Sequence, residues 1–520
     1  MRRVALIAVA LFWPSLACAQ DYGLSGPAQI ETETLGAAQD FDAGVLTDGA
    51  LDSQLWQGTS AARATQLLSN APLQSKDPII RDMVRTVILS GGVPPRATNA
   101  SEDAAYGAAR LQAVMGVGEG EVLDGFLARN PDLAQSPLAQ VDLVLAKGDH
   151  ERACEISDAI TTGRGEPQWV RLRAACHALR GEMPAAELTR DLLRSSGYDN
   201  PDFYAQLGAL IADRPVTDAA VTTDALTNYL ANYLARQGQS DLSSDSETGN
   251  PEAGREADLA ALFEVFYETD LATLENALGN ISFDVAAPDL DLETALSDSS
   301  ARATARLFIL GRAGDVKAFE GFMSRALRAG VHEDDLLLKL TPLIQTLPAQ
   351  ARVEANLRRY ARAALLSRDL GSLQSLYSAL PDGPAQARIA LAADAIGGGF
   401  NGQGLGRDIE TRLADPATQA QALKDVQMAL ALGARLSDPV ADILSESRFS
   451  SLTLPASQIA LLDAAVDANS RAETTLRAAT LLSRDNLNLT DRAEIVTALR
   501  RAGLPRFAGQ IAAETFLDAL

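Results

Sequence analysis

Apolar residues recur along this chain at spacings of three and four, the period of a helix with one buried face. The pattern starts at Leu51 and Leu55, runs through Ile79, Ile80, Met83, Val84, Val87 and Ile88, and stops at Gly91-Gly92-Val93-Pro94-Pro95. It is clearest in Ala303–Gly330, where Val316, Phe319, Phe322, Met323, Ala326 and Leu327 fall on one face. Several of its breaks are a glycine followed by an acid: Gly148-Asp149, Gly181-Glu182 and Gly314-Asp315. Glycine takes the left-handed cap conformation cheaply, and an acid suits the positive start of the next helix. Asn200-Pro201 is another start signal, a capping amide with proline at the first helical position. The acids Glu333, Asp334 and Asp335 suit a helix start in the same way and lack the loop spacing of a calcium site. Helices of about 10–18 residues with short turns between them leave no room for a parallel sheet. The expected fold is all-α, a helical-hairpin solenoid in two arrays.

The stretch Val141–Gly197 organises this reading. Leu179, Leu188, Leu192 and Leu193 keep the helical period there, and the two Gly-acid breaks lie about one repeat of 33 residues apart. Cys154 and Cys176 fall on consecutive helices around the turn 161–167, and facing helices bring backbones within disulfide reach. A Cys154–Cys176 bond would stabilise by about 3 kcal/mol in the chain-entropy model. The alternative is a zinc site from His150, Cys154, Cys176 and His177. His150 and Cys154 share a face, but the adjacent Cys176 and His177 point about 100° apart, so one four-ligand cage is awkward and no metal is expected.

Other chemistry is thin. The chain has three histidines, His150, His177 and His332, and no Gly-x-Ser-x-Gly or His-Glu-x-x-His motif. The run Gly397–Gly406 formally contains Gly-x-Gly-x-x-Gly. It follows an alanine-rich helix rather than the strand a dinucleotide loop needs, so it reads as an inter-repeat loop or hinge. Phe263, Phe266 and Tyr267 lie on the most aromatic helix and offer either a docking stripe or core packing. No catalytic residue and no cofactor is expected.

Composition changes the picture at two points. Apolar residues make up 47% of the chain but aromatics only 5%, which favours thin, alanine-packed helical layers over a bulky core. Asp and Glu number 68 against 45 Lys and Arg, a net charge of −23 that repels nucleic acid and anionic lipid and could steer a basic partner. Residues 1–19 read as a signal peptide: Arg2 and Arg3, an apolar core, then Ala17-Cys18-Ala19 with cleavage between Ala19 and Gln20. Cys18 as a lipidated residue is the competing reading. No later segment is apolar enough to span a bilayer, so the expected location is the periplasm. The expected parts are an extended N-terminal arm over 20–50, a helical array over 51–236, an acidic low-complexity linker over 237–257 and a second helical array over 258–520.

Trp169, Leu172 and Ala185 match the early Trp, the following Leu and the small second-helix residue of a tetratricopeptide unit. Arg173 and Gly197 stand where that family has glycine and proline. The chain thus resembles the tetratricopeptide-like α-solenoids, which implies a curved array that binds a peptide or protein. Export with an Ala/Leu-rich helical array also resembles the superhelical part of soluble lytic transglycosylases, although their Glu-Ser catalytic start is missing. Size, export, acidity and helix content resemble the periplasmic motility proteins of alphaproteobacteria, which act with flagellar stators. The expectation is a non-enzymatic scaffold or chaperone for protein partners in the cell envelope, most specifically a flagellar stator accessory. The competing expectation is a peptidoglycan-associated enzyme or enzyme accessory. A groove of clustered carboxylates around a glutamate of raised pKa favours the enzyme, and a continuous apolar or acidic strip favours the binder.

Overall fold

The computed structural model describes residues 43–46, 48–117, 120–130, 137–212, 214, 224–244, 291–298, 300–397, 405, 409–447 and 450–520. Among these residues are 24 helices and no strand, and the fold is all-α. The helices before residue 245 are α1 Ala61–Ser69, α2 Pro78–Leu89, α3 Ala100–Val117, α4 Gly120–Arg129, α5 Pro137–Ala146, α6 His150–Ala159, α7 Pro167–Leu179, α8 Met183–Ser195, α9 Pro201–Ile211 and α10 Ala225–Ser244. After residue 290 come α11 Leu292–Ser297, α12 Ala301–Arg312, α13 Val316–Arg328, α14 Glu333–Thr346, α15 Ala349–Leu366, α16 Leu370–Ala379 and α17 Pro384–Ile396. The series ends with α18 Ile409–Ala414, α19 Pro416–Ala431, α20 Asp438–Glu446, α21 Ala456–Asp467, α22 Arg471–Leu482, α23 Leu489–Arg501 and α24 Pro505–Leu517.

Local chemistry sets many of the ends. Gly148, Gly181 and Gly314 hold φ of 81°, 76° and 101°, the left-handed region that a side chain resists. The acids after two of them cap the next helix. Asp149 accepts from the Arg152 amide at 3.0 Å to start α6, and Asp315 accepts from the Ala318 amide at 3.0 Å to start α13. Asn200 does the same for α9, accepting from the Phe203 amide at 3.0 Å, with Pro201 in the first turn. Helix α10 continues through Ser244, into the stretch expected to be linker; residues 245–257 lie outside the described residues.

Successive helices pack as pairs: α5 on α6, α7 on α8, α12 on α13, α15 on α16 and α23 on α24. To this neighbour-on-neighbour packing are added contacts between remote helices. Helix α24 lies against α2, α15, α17 and α19 as well as α23. Phe507, Ala508, Ile511, Ala512, Ala513 and Phe516 are all buried, so most of the circumference of α24 is covered by other helices. The residues before and within α1 meet α22. The Ala472 amide donates to the Leu55 carbonyl at 2.8 Å, and Thr59 donates to Glu473 at 2.8 Å. Residues Val45 and Leu46 of the arm donate to the Leu89 carbonyl at the end of α2.

Among the described residues there are two apolar cores. The larger gathers α1–α4 with the helices after residue 291, and the smaller holds α6–α10; α5 gives Leu143 to the first and Val141 and Leu145 to the second. Helix α5 is where the two cores meet.

Candidate functional site

Among the described residues, the outer face of α8 and a charged cleft between α14, α15 and α24 are the candidates.

In the stapled unit, Cys154 on α6 and Cys176 on α7 are joined as a disulfide, with Cα atoms 5.7 Å apart and both residues buried. The neighbouring histidines turn to different partners. His150 Nδ1 lies 2.7 Å from the Tyr229 hydroxyl on α10, and its ring packs on Tyr229 and Tyr233. His177 Nδ1 lies 2.6 Å from Glu182, in the turn between α7 and α8. The sulfurs therefore serve each other, and no group of three or more His, Cys, Asp and Glu that could hold a metal exists among the described residues. His332 sits at the entry to α14. Beneath this surface, Arg171 bonds Asp224 at 2.6 Å and Tyr198 at 2.9 Å. Burial pushes the nearby Asp142 carboxyl up to about 6; the charge of Asp224 adds to this and Arg171 opposes it.

The leucines that keep the helical period in α8 do not share one fate. Leu193 is fully buried and packs with Ala186 in the smaller core, whereas Leu188 is 74% and Leu192 59% exposed. Pro184, also exposed, continues their row at four-residue spacing. Periodicity alone could not separate these leucines, because a helix with both an inner and an outer apolar row keeps the same spacing.

The charged cleft has a volume of 460 Å³, and its walls include Glu333, Asp334, Asn356, Arg359, Arg362 and Glu514. Helix α15 is broken at Asn356, whose backbone is extended (φ −165°, ψ 81°) and whose side chain accepts from the Arg359 amide at 3.1 Å. The break restarts the helix with Arg358, Arg359 and Arg362 at the cleft. Arg359 bridges Glu320 and Glu333, the latter at 2.6 Å. Arg362 grips Asp334 with two bonds of 3.1 and 2.9 Å and also bonds Glu514. Arg492 reaches the other oxygen of Glu514 at 3.1 Å. Burial raises the Glu514 pKa and the charge of Asp77 adds to it, while Arg362 and Arg492 pull it back. The result is an acid of raised pKa with both oxygens already engaged, an arrangement suited to fixing three helices together. No motif announced it. Glu333 and Asp334 read as a helix start, and their partners lie on other elements.

The remaining expected residues fall elsewhere. Ala19, Gln20, Phe263, Phe266 and Tyr267 lie outside the described residues. Of the run Gly397–Gly406, Gly397 closes α17, its amide donating to the Ala393 carbonyl at 3.1 Å, and Leu405 is buried; the rest lies outside the described residues. Among the described residues no helix is long and apolar enough to cross a membrane. No protein-family model, no curated protein and no solved structure matches the chain.

Proposed function

We propose that the chain is a non-enzymatic helical-repeat protein of the periplasm that binds a protein partner in an envelope machine, with the flagellar stator the most specific candidate. The observation that carries the binding reading is the exposed row Pro184, Leu188 and Leu192 on α8. A leucine brought out of water on docking contributes about 1.5–3 kcal/mol, so two of them at one-turn spacing form a useful anchor for an apolar helix or strand. The row needs little ordering on binding, because α8 packs on α7 and α7 is tied by the disulfide to α6.

The second reading, an enzyme or enzyme accessory acting on peptidoglycan, is favoured by the raised pKa of Glu514 among the cleft carboxylates. It ranks below the first because Arg362 and Arg492 occupy both oxygens that would have to move a proton.

One experiment addresses both. A photo-crosslinking residue placed at Leu188 in the native cell is expected to capture one protein, identified by mass spectrometry. The Leu188→Glu/Leu192→Glu variant should lose that adduct, weaken the purified complex at least about tenfold, and reproduce the swimming defect of a deletion strain. The same adduct formed equally well by the double variant would remove α8 as the docking face, and normal swimming of the deletion strain would remove the stator. Release of cell-wall fragments from purified sacculi, abolished by Glu514→Gln, would establish the second reading instead.

A further inference from the structure

In a protein of net charge −23, one small cleft is walled by arginine and by no acid. Three helices form it, each through positions three or four residues apart. Helix α1 gives Arg63, Gln66 and Leu67, α21 gives Gln458 and Leu461, and α22 gives Arg477. Asn70 and Thr480 complete the lining. The volume is 220 Å³, below that of pockets for drug-sized ligands.

The charges of the cleft can be balanced by hand. One acid lies beneath the two arginines: Glu473, 9% exposed. Arg63 donates to its Oε1 through Nε at 3.1 Å, and Arg477 donates to the same oxygen through Nε at 2.8 Å. Glu473 Oε2 accepts from Thr59. Two guanidiniums on one carboxylate leave one positive charge over. The three helices bring no further acid to the cleft. Helix α1 contains none, and Glu473 is the acid of α22. Asp463 and Asp467 of α21 lie on the face opposite Gln458 and Leu461, where Arg501 bonds them at 2.7 and 3.0 Å.

The spare charge is within reach of solvent. Arg63 gives only Nε to Glu473 and its side chain is 34% exposed, so its Nη edge is open to a ligand. Such an edge matches the two oxygens of a carboxylate. Beside it, Gln66 and Gln458 offer amide donors, while Leu461, 39% exposed, and half-buried Leu67 offer a short aliphatic wall. An ammonium group finds no acid in this lining. At about 0.1 M salt, exposed charges more than about 10 Å away are screened, so the local surplus decides rather than the net charge.

We propose that this cleft binds a small aliphatic monocarboxylate without an amino group, its carboxylate on the Nη edge of Arg63 and its short chain on Leu67 and Leu461. One negative charge balances the surplus of the Arg63–Glu473–Arg477 cluster. The bound acid touches α1 on one side and α21 and α22 on the other, so binding tightens the join between them. The site shares no residue with the α8 row and stands or falls independently of the partner-binding reading.

The test titrates the full chain without residues 1–19 with 4-methylpentanoate, followed by saturation-transfer NMR and by the urea midpoint. Expected are saturable binding and a midpoint raised by the acid. Leucine, the same body with an ammonium group, and 4-methylpentanamide, its uncharged analogue, should bind at least about tenfold more weakly. Gln66→Glu sets a carboxylate three residues from Arg63 on the same face and should weaken binding at least about tenfold, whereas Gln66→Lys keeps or tightens it. Gln66 is exposed, so both variants keep the fold, which circular dichroism checks. Absence of saturable binding, equal binding of leucine or of the amide, or equal binding by Gln66→Glu would overturn the assignment.

Discussion

Asp142 holds its proton to higher pH than an ordinary aspartate, because burial and the charge of Asp224 disfavour its carboxylate. The sign of the effect on stability follows. Above a pH of about 6 the folded chain carries a strained carboxylate, and the strain is relieved as pH falls through that value toward the unperturbed 3.8. Asp142→Asn should therefore stabilise by about 2 kcal/mol near neutral pH, with a much smaller gain near pH 4. Urea unfolding of both proteins at the two pH values measures this; an equal gain at both would show that the carboxylate is not the cause. At this scale the sequence was readable where partners are close along the chain. Cys154 and Cys176 are 22 residues apart and the glycine-aspartate caps act over three or four. Glu514 could not be read, since its partner Arg362 lies 152 positions away on another helix.

Helices were legible as elements because each carries its own apolar period and its own cap, and the all-α expectation needed nothing more. What periodicity withheld was which apolar row faces what. Leu188 and Leu192 look like core positions in sequence and stand in water, while α24 buries most of its circumference. Gly509 shows why α24 fits where it does. A Cβ built there would collide with the Ala395 carbonyl oxygen at the end of α17, so the two helices meet backbone to backbone. Gly509→Ala is expected to destabilise by about 2–3 kcal/mol, although alanine is the better helix former, because the interface must open to admit the methyl group. A denaturation midpoint unchanged or raised by this substitution would show that the approach is looser than described.

At the scale of the whole molecule, the described residues form two apolar cores, and each holds one tryptophan. Trp56 belongs to the larger and Trp169 to the smaller. Glu473, at 9% exposure, ties the larger core across α1 and α22, accepting from Thr59 at 2.8 Å, Arg63 at 3.1 Å and Arg477 at 2.8 Å. Its replacement by alanine strands two guanidiniums and should cost about 2–3 kcal/mol. In single-tryptophan proteins lacking residues 1–19, Glu473→Ala is expected to lower the transition seen by Trp56 and to leave that seen by Trp169 in place; equal shifts would mean that the cores unfold as one. The same tie has a consequence for the order of assembly. Thr59 and Ser470, whose hydroxyls lie 2.6 Å apart, are separated by 411 residues, and closing so long a loop costs about 5 kcal/mol of chain entropy before any contact returns it. Hairpins of neighbouring helices carry no such debt and form first. The join between α1 and α22 is thus expected to form late in folding, and Trp169 fluorescence should recover ahead of Trp56 when the protein is diluted from urea.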